Sequence, residues 1–178
     1  MDLFEEYLNK REKSVWVKRA LTDNSLKNTK TGLTKKDVNK ELATYGDALL
    51  KFCYACLLLD NYKDKKSLSK AIEKYISDEI LVTVIAEKYK LINFIDYDKD
   101  DVEFNRKIKL GYKYIMAEKT KGGNKKTSPS KYLATAVEAM VGAIYKEKEN
   151  FENAIEAIIP LIKSWKELID KYYSDNQI

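Results

Sequence analysis

The sequence predicts an all-α protein built as a single domain over residues 1–178, with its core at about 12–172. Three observations predict it. Long segments repeat apolar residues with helical period, and none sustains the alternation of a half-buried strand. Proline occurs only twice and glycine six times, so little interrupts those segments. At 178 residues the chain is long enough to bury one core without disulfide or metal staples.

The elements follow in order. Residues 2–10 form a short helix, and a second lies near Val15-Trp16-Val17-Lys18-Arg19-Ala20-Leu21. The polar stretch from Asn24 to Lys36, with Gly32, reads as a loop. A long apolar helix runs from about Val38 to Leu59. Ser67 is the predicted cap of a helix to about Ile76, and Ser77-Asp78-Glu79 of the next, through Tyr89. A basic helix spans about Asp101 to Lys119, followed by a loop over Thr120–Thr127 containing Gly122-Gly123. Ser128-Pro129 starts the next helix, to about Lys146, with proline where its missing N–H costs nothing. The last helix, about Phe151 to Tyr173, sets Ile155, Ile158, Ile159, Ile162 and Trp165 on one face.

Composition excludes several classes. No run of eighteen apolar residues marks a membrane span, and no membrane partner is expected. The acidic start Met1-Asp2-Leu3-Phe4-Glu5-Glu6 is unlike the basic start of a signal peptide, so the expected compartment is the cytoplasm. Cys53 and Cys56 have C-x-x-C spacing but lie inside an apolar helix, and read as buried thiols. With no histidine, neither a Cys/His zinc site nor a Ser-His or Cys-His catalytic pair is available. Chemistry would fall to carboxylates, lysine, tyrosine or water on a metal.

Asp47 and Glu138 are the candidate chemical groups. Each is an acid in an apolar helical stretch, Tyr45-Gly46-Asp47-Ala48 and Ala136-Val137-Glu138-Ala139-Met140-Val141-Gly142-Ala143. A carboxylate there is costly unless paired, and a divalent cation is a partner that acids of two helices can share. Gly46 costs about 1 kcal/mol in a helix interior, which predicts either helix–helix packing, a dimer seam being one place for it, or the close approach of another backbone or a metal-bound group. The net charge of +5 is concentrated between Asn105 and Lys131, where nine basic residues face a single acid, Glu118. They are Arg106, Lys107, Lys109, Lys113, Lys119, Lys121, Lys125, Lys126 and Lys131. That is either the footprint of a polyanion or a solvated lysine face. Only three arginines occur in the chain, which favours backbone contact over base readout.

Five segments in order resemble the ribonuclease III family. Ala20-Leu21-Thr22-Asp23-Asn24-Ser25 resembles its "ALTHRS" opening, without the histidine. Asn39-Lys40-Glu41-Leu42-Ala43-Thr44-Tyr45-Gly46-Asp47-Ala48 resembles "NERLEFLGDA", and Ser77-Asp78-Glu79-Ile80-Leu81 resembles "NEKTL". Gly122-Gly123-Asn124-Lys125-Lys126 is similar to "GGREK", and Leu133 to Tyr145 to "LADAFEALIGAIY". The departures are specific. Ala43 and Thr135 stand where the family places a second acid on each helix, and Lys40 stands at a further family glutamate. Glu41, six residues before Asp47, is off its face. The mini-III branch shares the alanine and the threonine, and lacks the double-stranded-RNA-binding domain, which is not expected here either.

The resemblance implies a homodimer with the signature helices at its axis, where Phe52, Tyr54 and Leu57 line the seam or the core. It implies a Mg²⁺-dependent endoribonuclease (Mn²⁺ as substitute) acting on double-stranded or structured RNA, such as a ribosomal RNA precursor. Asp47 and Glu138 would hold the metal and carry catalysis; Lys40, Asp78 and Thr135 are accessory candidates. The other reading is an inactive relative that binds RNA or serves in a ribosome-associated structural role. The two share the charge pattern and differ at the metal.

Overall fold

In the computed structural model, residues 1–28, 32–100, 130–148 and 150–176 are described below. The described residues form helices, with no strand beyond an isolated bridge between Thr22 and Asp96. We number the helices α1 (Leu3–Asn9), α2 (Val15–Ala20), α3 (Lys40–Leu58) and α4 (Lys65–Ile76). The helix α5 opens with an α-turn at Asp78–Ile80 and continues as a π-helix over Leu81–Ala86. It is followed by α6 (Ser130–Glu147) and α7 (Phe151–Asp175), the latter carrying Pro160 inside.

Among the described residues the most extensive contact joins α3 to α6, and α2, α4, α5 and α7 pack around that pair. Leu42, Leu50, Cys53 and Tyr54 of α3 meet a core that includes Leu133, Val137, Met140, Val141 and Ile144 of α6. The first helix belongs to the same core: Phe4 is fully buried, 4.5 Å from the Tyr89 ring and 5.4 Å from that of Trp165. Polar groups tie this layer down. The Tyr89 hydroxyl donates to Asp2 Oδ2 at 2.6 Å and accepts from Trp165 Nε1 at 2.9 Å. Those bonds satisfy groups that would be costly to bury unpaired.

Several expectations shift. The segment from Asn24 to Lys36 holds short 3-10 turns at Asn24–Asn28 and Lys35–Asp37, the second capped by Thr34. Asp64, not Ser67, caps α4: its side chain accepts from the Ser67 backbone N–H, so the helix starts at Lys65. Cys53 is buried as expected, but Cys56 is exposed. Three residues along, it has turned past the core edge onto the outer face of α3. By length and hydropathy, Lys40–Asn61 is long and apolar enough to cross a membrane. It nevertheless carries Asp47 and Lys51, and one face of it packs into the core described above.

Candidate active site

Gly46 and Gly142 explain where the acids sit. A Cβ on Gly46 would lie 1.7 Å from the Glu138 carbonyl oxygen, and one on Gly142 would lie 2.2 Å from the Leu42 carbonyl oxygen. The two helices therefore touch backbone to backbone, each through a glycine of its own. The helix–helix packing expected at Gly46 is thus present, as a contact within the chain. It also brings the residue after Gly46, Asp47, beside the residue whose carbonyl it touches, Glu138.

Glu138 is half-buried, and its carboxyl is pushed up to about 7. Desolvation is the largest cause, and the negative charges of Asp47 and then Asp78 add to it; Lys131 and Lys51 act in the opposite direction. Three acids from α3, α5 and α6 thus lie within electrostatic range of one another. Asp78 is placed by its own cap: Ser77 accepts from the Ile80 N–H, so the acid stands at the first residue of α5. The π-helix just beyond it packs on α6. Asp47 is partly exposed and accepts from Lys51 Nζ at 2.6 Å.

The predicted accessory residues separate. Thr135 is half-buried one turn before Glu138 on α6. Lys40 is exposed at the first turn of α3, about 10 Å along the axis from Asp47 at helical rise. The lysine that meets Asp47 is Lys51, which sequence reading missed although its i,i+4 spacing to the aspartate is visible. Glu41 pairs with Arg19, which confirms that it serves elsewhere. Of the basic cluster, Lys131 is exposed at the start of α6 and acts on Glu138. Arg106, Lys107, Lys109, Lys113, Lys119, Lys121, Lys125 and Lys126 lie outside the described residues. A second basic row was not anticipated: Lys66, Lys70 and Lys74 recur every four residues on the exposed side of α4, which leads into Asp78.

The donor set can be tested for a divalent cation. No group of three or more acidic, histidine or cysteine side chains closes into a metal cage among the described residues. Magnesium does not need one: it is held by one or two carboxylates, with waters and substrate phosphate oxygens completing its shell. Oxygen donors from Asp47 and Glu138, with mutual repulsion that a cation would relieve, fit that chemistry.

The described residues define a helical domain with an acid from each of two crossing helices near one another. The family model of the ribonuclease III domain matches residues 40–149, and the chain belongs to that family. Two solved structures of the nuclease domain of ribonuclease III from Campylobacter jejuni share the fold. One superposes with a TM-score of 0.59 at 22% identity, covering 90% of this chain and 94% of that one. The other gives 0.58 at 23% identity, covering 90% and 92%. The first is described as having structural flexibility in a region involved in dimer formation. A comparison with curated proteins finds no match.

Proposed function

We propose that the chain is an endoribonuclease that cleaves double-stranded or structured RNA with Mg²⁺ as cofactor, Mn²⁺ being a substitute. Ribosomal RNA precursors are the substrate class that suits it. The observation that carries this reading is the convergence of Asp47 and Glu138 at the glycine-lined crossing of α3 and α6. It sits within residues matched by the ribonuclease III domain. Asp47 and Glu138 would hold the cation, which when bound supplies Lewis-acid polarisation of the scissile phosphate. Glu138, whose carboxyl lies near neutrality, can hold or release a proton at working pH. Lys131 and the basic residues from Arg106 to Lys126 would engage the phosphate backbone.

The test is direct. A labelled RNA duplex and its single strands are incubated with the protein, with Mg²⁺ or with chelator. The expected result is shortening of the duplex only when the metal is present. A duplex that is retained in low salt but never cut would support the inactive RNA-binding relative instead.

A homodimer belongs to the same proposal. Tyr45, Ala48, Phe52 and Cys56 form an exposed, largely apolar stripe along α3, with exposed Leu59 just past its end, and Phe52 packs edge-on against exposed Phe151 at 5.7 Å. Asp47 lies on a different side of α3 from this stripe, well round the helix at about 100° per residue. Of the seam residues expected, Phe52 is exposed, Leu57 is half-buried against the core, and Tyr54 is fully buried and stacked on Tyr75, which removes it from any seam. Phe52→Glu is expected to convert a sedimenting dimer to monomer while leaving the far-UV spectrum intact. An unchanged sedimentation coefficient would assign the interface to another face.

A further inference from the structure

Lys51 has no part in the reading above, yet it is the side chain in contact with Asp47. Its Nζ lies 2.6 Å from Oδ2, and both side chains are open to solvent, at 54% and 37% exposure. Its charge also reaches Glu138. Lys51 is one turn beyond Asp47 on α3, on the open side of the acids and away from the helix crossing. An ammonium carries three donors, and the aspartate uses one. An exposed lysine on a four-carbon stem can exchange a carboxylate for a phosphate oxygen by rotating side-chain bonds alone.

We propose that Lys51 occupies Asp47 in the RNA-free protein and transfers its ammonium to a backbone phosphate of the RNA when the site is loaded. This rests on the nuclease reading and assigns Lys51 two linked roles. It competes with a divalent cation for Asp47, and it holds substrate. The ordinary alternative is a solvated ion pair of the i,i+4 kind, of no consequence to ligands. The two differ in what neutralising the lysine does to metal and RNA affinity.

The experiment measures Mn²⁺ binding to the RNA-free full chain by electron paramagnetic resonance, for the native protein, Lys51→Met and Lys51→Arg. Removing a positive charge beside a divalent site is expected to tighten Mn²⁺ binding about tenfold in Lys51→Met. Lys51→Arg is expected to stay within about twofold of native, since it keeps the charge. In parallel, duplex binding in chelator is titrated against salt, where Lys51→Met should weaken binding and reduce the log–log slope by about one. Equal Mn²⁺ affinity in native and Lys51→Met overturns the competition, as does no binding to either. An unchanged salt slope overturns the phosphate contact. Failure of the native protein to cut RNA would sink the nuclease reading separately, because neither measurement depends on cleavage.

Discussion

Gly46→Ala is expected to be among the most damaging single-methyl changes available in this chain. Alanine is the better helix former by about 1 kcal/mol, so local propensity predicts a gain. The added Cβ would instead fall 1.7 Å from the Glu138 carbonyl oxygen and 2.5 Å from its carbon, both backbone atoms that cannot rotate away. The helices must part or slide, and the crossing they form is the most extensive contact among the described residues. A net loss of about 3 kcal/mol follows, at the upper end for overpacked cores, with a fall in Tm on the order of 10 °C. Activity should fall further than stability, because the same displacement moves Asp47 away from Glu138; a shift of about 1 Å costs roughly a hundredfold in rate. Gly142→Ala meets the Leu42 carbonyl oxygen at 2.2 Å and should behave alike. The double variant should cost less than the sum, since one parting of the helices relieves both clashes. Thermal unfolding of the three variants checks this, and a Gly46→Ala protein as stable as native would contradict the backbone contact.

The second large effect is at Glu138, where stability and activity are expected to move in opposite directions. Burial and the charges of Asp47 and Asp78 lift its carboxyl from 4.5 to about 7. The folded protein therefore keeps a proton that the unfolded chain has already released. Below about pH 4.5 both states are protonated and the group costs nothing; as pH rises from there through about 7 the native fold loses stability, by about 3 kcal/mol once the group is fully ionised. Glu138→Gln removes that loss. In chelator, the variant should match native near pH 4.5 and exceed it by about 3 kcal/mol at pH 8, read from urea unfolding midpoints. Duplex cleavage by the same variant should drop about 10²–10³-fold. A stabilised but inactive protein is the behaviour of a functional carboxylate held under repulsion. A variant less stable than native at pH 8 would mean that Glu138 is a satisfied structural group.

Much of this was readable from residue order. Helical period gave the all-α class because amphipathic faces are written locally, and the acids at Asp47 and Glu138 stand out because each interrupts an apolar face. What was not readable depends on partners distant in the chain. Gly46 is an uncommon residue for a helix interior, but only the fold shows that the backbone it admits is that of Glu138, ninety-two residues on. The π-helix after Asp78 leaves no mark in its sequence, Leu81-Val82-Thr83-Val84-Ile85-Ala86, which has ordinary apolar content. Cys56 was placed in the core because its neighbours are apolar; the rotation of α3 sets it with Phe52 on the outer face instead. Both Lys40 and Lys51 have helical spacing to Asp47, but Lys40 lies two turns away, whereas Lys51, one turn away, reaches it.

The measurement that tests the central claim most directly is single-turnover cleavage of a defined RNA duplex across a Mg²⁺ titration, native against Asp47→Asn. Asp47 is partly exposed, so the variant should fold as native does, and equal unfolding midpoints would establish that first. The expected result is a metal-dependent rate for native, and for Asp47→Asn a rate lower by at least about a hundredfold that higher Mg²⁺ restores only in part. Equal rates in the two proteins, or a native rate indifferent to Mg²⁺, would contradict it.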